Sequence, residues 1–116
     1  MLRGDVRWVE FGPGLPGEPS RKHPAIIVSN DGVNASASRT GRGVVAVVGV
    51  TSNVRKVHPF EVLLGAGEAN LLRESKAQTQ LVRAVAVARV GPRIGTVPAH
   101  LMREIDEALR MHLALG

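Results

Sequence analysis

The residues best suited to chemistry gather at two points in the chain. Arg21-Lys22-His23 leads into the apolar segment Pro24-Ala25-Ile26-Ile27-Val28. Thr51-Ser52-Asn53 closes a second apolar segment, Val44-Val45-Ala46-Val47-Val48-Gly49-Val50. Guanidinium and ammonium groups attract anions, and hydroxyls and amides donate hydrogen bonds. An imidazole with an unperturbed pKa near 6.5 can take and return a proton at neutral pH. A rigid strand that delivers such groups to one rim is suited to an anionic substrate. The same residues have plainer readings. A basic triplet is usually a solvated turn, and Ser or Thr at a strand end often bonds its own backbone.

The elements that must hold these groups follow from pattern. Continuous β-branched runs bounded by turn formers predict buried strands over residues 24–29 and 43–51. Residues 3–11 alternate moderately, with Val6 and Trp8 on one side and Arg7, Val9 and Phe11 on the other, which predicts a first strand with mixed faces. Residues 12–20 hold six Gly and Pro residues in nine and predict a loop. Such a loop beside rigid strands is placed to gate a site. Residues 30–42 read as a polar connection and 53–58 as a basic one, followed by a short strand over 60–64 and a turn within 65–73. Two further strands are expected, over 75–80 and 81–90, with Gly91-Pro92-Arg93-Ile94-Gly95 as a break. Residues 98–115 predict a helix, since Leu101, Ile105, Ala108, Leu109 and His112 recur at helical spacing. On its other side Arg103–Glu107 and Asp106–Arg110 are spaced to pair. Several short strands and one terminal helix predict a mainly β fold, a small antiparallel barrel packed on a helix, with residues 1–116 forming a single domain. Trp8 and Phe60 are expected in its core, with a place at the edge of a binding groove as the alternative for either.

Composition narrows the class of partner. The chain carries +5 net charge at pH 7 with an isoelectric point of about 11.1. That favours an anionic partner, because neutralising phosphates releases counterions. There is no cysteine, hence neither a disulfide framework nor a thiolate metal site. His23, His58, His100 and His112 lack ligand spacing and no Asp/Glu cluster accompanies them, so no metal site and no cofactor are expected. No run approaches the roughly 18 apolar residues of a membrane span, and charges in the first ten residues disfavour a signal peptide. A cytoplasmic protein is expected. Arg3-Gly4-Asp5 is a chance adhesion tripeptide, and residues 12–17 lack the Lys-Ser/Thr ending of a phosphate-binding loop.

Taken in order, Arg3-Gly4-Asp5-Val6 with Trp8 and Phe11, Pro24 to Asp31, Val50-Thr51-Ser52-Asn53, Pro59-Phe60-Glu61-Val62, Lys76-Ala77-Gln78 and Arg83-Ala84-Val85 resemble the MazF/PemK family of toxin endoribonucleases. The resemblance spans nearly the whole chain. It implies an SH3-like barrel that dimerises, with single-stranded RNA, often mRNA, crossing the dimer groove. It implies metal-free, sequence-specific cleavage to 2′,3′-cyclic phosphate and 5′-hydroxyl ends. It also implies silencing by an acidic antitoxin of the MazE type, an electrostatic fit to the basic chain.

The family's catalytic pair is an Arg directly before the strand-two Pro and the Thr ending strand three. Thr51 matches the Thr, but His23 stands where the Arg is expected. Two readings follow: His23 is itself the acid/base group, or Arg21 reaches in as the phosphate clamp. Candidate catalytic residues are therefore His23, Arg21 and Thr51. Candidate RNA contacts are Lys22, Ser52, Asn53, Arg55, Lys56, Gln78 and Gln80. Gln80 falls near a position where the family often has an acid; it cannot take a proton but can read a base edge. Arg39, Arg42 and His58 add to the basic loop clusters. With Trp8, Phe11 and Phe60 as the aromatics, base stacking cannot dominate recognition. Two other functions fit the same fold: a non-enzymatic toxin that poisons DNA gyrase, and a catalytically dead nucleic-acid-binding barrel.

Overall fold

A computed structural model describes residues 1–12 and 21–116. The loop expected over 12–20 therefore lies, apart from Gly12, outside the described residues. In order the elements are β1 (Asp5–Glu10), β2 (Lys22–Ile27), α1 (Asp31–Thr40), β3 (Val44–Thr51), β4 (Glu61–Leu64), β5 (Ser75–Ala86), β6 (Val90–Thr96) and α2 (Ala99–Leu113), with 3₁₀ turns at Glu68–Asn70 and Val87–Arg89. The strands form one sheet in the order β4-β5-β3-β2-β1-β6, with every described pairing antiparallel.

The apolar runs become the middle of this sheet because it is covered on both faces. Ile26, Val48, Val50, Val62 and Leu64 join Leu101, Ile105 and Ala108 of α2 in one cluster. Ala25, Ile27, Val45, Val47 and Val85 join Ala37 of α1 in the other. Along β3 the inward residues shift from Val45 and Val47 to Val48 and Val50 across a register shift against β5. A bulge moves the following side chains to the opposite face. The result is a run apolar at every position, unlike the alternation of a half-exposed strand.

The sheet curls without closing into a barrel. The turn at Glu68–Asn70 bridges the gap: Asn70 Nδ2 donates to the Ile94 carbonyl at 3.1 Å, and a Cβ on Gly95 would overlap the Ala69 carbonyl. The mainly β architecture with a terminal helix is as expected, and five local expectations are corrected. Residues 31–40 form α1. Asn30 caps it, accepting from the Val33 N–H at 2.9 Å, and Gly41 ends it at φ +68°. Only Asn34 and Ala37 are buried on this helix, so it has no apolar stripe to reveal it, and its caps were the available signal.

The expected strands at 75–80 and 81–90 begin as one, Ser75–Ala86, which pairs with both β3 and β4. The expected break at 91–95 lies inside β6, an edge strand with two irregularities against β1; Pro92 is tolerated because an edge strand has a free side. Trp8 is 40% exposed, since the irregular β1–β6 register spoils the alternation. On α2, Asp106 pairs with Arg3 at 2.7 Å and Arg110 with Glu107 at 3.3 Å, displacing the pairs expected from spacing. Arg3 is thereby tied to α2, and Asp5 is buried, accepting from the Leu2 N–H at 3.0 Å; the Arg3-Gly4-Asp5 triplet is structural.

Candidate active site

A cleft of about 550 Å³ lies where β2, β3 and β5 meet, lined by Phe11, Arg21, His23, Gly49, Val50, Thr51, Gln78, Gln80, Leu81, Val82 and Arg83. The register explains the convergence. Ala25 opposes Gly49 across β2 and β3, and Gly49 opposes Gln78 across β3 and β5. Three strands thus bring together residues more than fifty positions apart. No carboxylate is among the described lining residues, while Arg21, His23 and Arg83 are. The wall is therefore suited to an anion.

The position of Arg21 is set by its main chain, which exchanges hydrogen bonds with the N-terminal strand region: Phe11 N–H to Arg21 O at 2.7 Å and Arg21 N–H to Gly12 O at 3.1 Å. His23 sits in β2 opposite Val9. Its ring lies 6.3 Å from that of Phe11 at a tilt of 42°. The Arg83 guanidinium lies over the same Phe11 ring, 5.3 Å from its centroid, within cation–π range. At the end of β3, Thr51 Oγ1 accepts from the Asn53 N–H at 3.2 Å, and Asn53 Oδ1 accepts from the Arg55 N–H at 3.3 Å. The Thr51 hydroxyl thus has a backbone role, but its own proton remains available to donate.

The sequence candidates divide. Arg21, His23, Thr51, Gln78 and Gln80 share the cleft. Lys22, one residue out of phase on β2, lines a different depression with Trp8, Glu10 and Arg89. Ser52, Asn53, Arg55 and Lys56 are exposed on the connection after β3 and do not line the cleft. Phe11 and Arg83, quoted above only as carriers of the resemblance, join the site as lining residues. Their link is a contact between distant strands, which no local pattern records.

Beside the cleft lies a buried polar knot. Lys76, opposite Thr51 in the ladder, pairs with Glu61 at 3.0 Å and also donates to the Lys56 carbonyl. Glu61 accepts from the His58 N–H at 2.9 Å and from Gln80 Nε2 at 2.8 Å. Burial pushes the Glu61 carboxyl up, but the His58 amide, the Gln80 and Lys76 donors and the Lys76 charge outweigh it and lower its pKa to about 2. Among the described residues no three His, Cys, Asp or Glu side chains gather as a metal site, and no helix is long and apolar enough to cross a membrane.

Comparison with known proteins places this architecture. Residues 2–113 match the family model of the PemK-like, MazF-like toxin of type II toxin–antitoxin systems. The chain is 45% identical over 115 residues to endoribonuclease MazF9 of Mycobacterium tuberculosis, covering 99% of this chain and 98% of that protein. It is 26% identical to endoribonuclease EndoA of Bacillus subtilis, over 99% of this chain and 96% of that one. Among solved structures, a mycobacterial endoribonuclease in complex with its cognate antitoxin superposes with a TM-score of 0.79 at 24% identity, over 100% of this chain and 97% of that one. A MazE–MazF complex from Deinococcus radiodurans gives 0.73 at 23%, over 100% and 97%. These structural likenesses carry the fold, and the family model and the mycobacterial relative carry the kinship: the chain belongs to the PemK/MazF-like toxin family of type II toxin–antitoxin systems.

Proposed function

We propose that the protein is the endoribonuclease toxin of a type II toxin–antitoxin system, a sequence-specific mRNA interferase that cuts single-stranded RNA without a metal. One observation supports this most: in a chain full-length related to an endoribonuclease, the cleft unites Arg21, His23 and Thr51 with no acidic residue among its described lining. The gyrase-poison and dead-barrel readings lack a comparable observation.

The reaction needs a base for the ribose 2′-hydroxyl proton, an acid for the departing 5′-oxygen, and donors for the charge on phosphorus. The 2′-oxygen attacks phosphorus, the P–O5′ bond breaks, and a 2′,3′-cyclic phosphate and a 5′-hydroxyl result. His23 is the proton-transfer group in this reading. It carries a proton from the 2′-hydroxyl side to the 5′-oxygen side, directly or through Arg21 as partner. Arg21 holds a non-bridging phosphate oxygen, and the Thr51 hydroxyl donates to the other. Arg83 and the exposed Arg55 and Lys56 attract the flanking backbone. Lys22, Ser52 and Asn53 are outlying contacts for longer substrates.

The whole chain, residues 1–116, acts as one toxin domain in the cytoplasm, as a homodimer. An acidic antitoxin of the MazE type is its inhibitory partner, matched to a net charge of +5. The test is incubation of purified protein with a defined long RNA in EDTA, followed by primer-extension mapping and end-group analysis. Discrete cuts with 5′-hydroxyl ends are expected. Absence of cutting, or cutting that requires added metal, overturns the proposal, and gyrase-dependent DNA breaks would replace it.

A further inference from the structure

Outside the cleft lies a second depression of about 240 Å³, whose described lining includes Trp8, Glu10, Lys22, Arg89 and Gly91. Trp8 is 40% exposed there, although so large an apolar ring is usually well covered. Strand register holds it in place. Trp8 opposes Pro24 and Glu10 opposes Lys22 across β1 and β2, so these four residues share one face of the sheet. Gly91 lets β6 lie close beside it: a Cβ there would stand 3.2 Å from the Trp8 carbonyl oxygen. Lys22 and Arg89 are both exposed at the rim, two cations against the one Glu10 carboxylate. The volume is below the roughly 300–1,000 Å³ of a site that encloses a whole small molecule. It suits one flat ring system with an anionic group beside it.

Arg89 links this depression to the cleft. Its Nη1 donates to the Glu10 carbonyl at 3.4 Å. The next residue, Phe11, lines the cleft and carries the Arg83 guanidinium over its ring. His23 and Lys22 are adjacent in β2 and face opposite ways. An extended strand leaving the cleft therefore reaches Trp8 around the Phe11 end of β1, past Arg83 and Arg89.

We propose that this depression is an outlying nucleotide subsite. The Trp8 indole stacks on one base of the RNA beyond the cleaved segment, and Lys22 and Arg89 hold the phosphates beside that base. This deepens the endoribonuclease reading above and rests on it. Every base has a π-face, so such a platform adds affinity without reading sequence. A ring already fixed on a strand loses little freedom on binding. The subsite therefore favours long single strands over short ones, and it leaves the recognition motif to the cleft.

Trp8 is the single tryptophan of the chain, so its emission reports on the site directly. The probes are two RNAs spanning a mapped cut site, with a 2′-deoxy sugar at the cleaved position so that they bind uncut. One covers the recognition motif alone, and the other extends it by a few nucleotides on each side. On wild-type protein in EDTA, the long RNA should quench Trp8 emission and the short one should not. With cleavable versions, Trp8→Ala should raise KM for the long RNA about tenfold, with kcat and the motif retained. Trp8→Phe, which keeps a ring, should recover most of that loss. Lys22→Gln and Arg89→Gln should each lower the salt dependence of long-RNA binding by about one unit of slope. Emission indifferent to the long RNA overturns the inference whatever the variants do. So does an equal loss on both RNAs in Trp8→Ala. Emission that follows protein concentration but not RNA would assign this face to a contact between copies of the chain, and overturns it too. In each of these cases wild-type cutting of long RNA in EDTA keeps the endoribonuclease reading standing. Its absence overturns that reading, and the subsite with it.

Discussion

Thr51 and Lys76 stand opposite each other in the β3–β5 ladder, yet they belong to two differently organised polar regions. On the cleft side, Arg21 and His23 are exposed and Thr51 is half-buried, with its hydroxyl proton uncommitted. On the other side, Lys76 and Glu61 are buried, and both carboxylate oxygens accept from protein donors. Burial explains the contrast. A polar group removed from water must be satisfied by the protein, at the risk of several kcal/mol. A hydroxyl left at the rim, like that of Thr51, can keep its proton uncommitted, because water serves it until a ligand arrives. Committed polar groups therefore mark what shapes the site, and uncommitted ones mark what is offered to a substrate.

That contrast can be broken by mutation. His23→Ala and Thr51→Ala should each reduce RNA cleavage by about 10²- to 10⁴-fold while leaving the thermal unfolding midpoint near wild type. A loss of stability with activity intact would reverse the assignment of the two regions. Glu61→Ala should do the opposite first: it leaves the Lys76 ammonium buried without its counter-charge, and unfolding in urea should show a loss of about 3–5 kcal/mol. A change below about 1 kcal/mol would mean that water reaches Lys76 freely.

Acid unfolding sharpens the same point without mutation. The folded-state pKa of Glu61 is lowered from 4.5 to about 2. Its stabilisation is therefore fully present above pH 4.5 and is lost as pH falls from there toward 2. The loss should reach about 3 kcal/mol at most, and Glu61→Gln should flatten that limb of the stability curve. The smallest effects belong to the surface. Arg3→Ala removes the partly exposed pair with Asp106 and should cost about 1 kcal/mol. Glu107→Ala removes an exposed pair with Arg110 and should change stability by no more than about 0.5 kcal/mol.

How much of this could be read along the chain depends on the range of the interaction involved. The central strands and α2 were legible because burial writes itself into local apolar periodicity. The kinship was legible because its motifs keep their order from Arg3 to Arg83. Helix α1 was not, since it is held by Asn30, Gly41 and one buried Asn34 rather than by a stripe. The continuity of β5 was hidden because Leu81 and Arg83 are exposed within it and imitate a new strand.

For the site, residue type alone named Arg21, His23, Thr51, Gln78 and Gln80, which the fold then gathered in one cleft. It could not separate Lys22 from its neighbours, because the face a residue takes depends on strand phase. Nor could it show Arg83 over Phe11, or Glu61 holding His58, Lys76 and Gln80 at once. Apolar pattern and the order of motifs are properties of neighbours in sequence, and these settle the fold class and the family. Which cations share a wall, and which way an amide faces, arise from contacts between strands far apart in the chain, and only folding decides them.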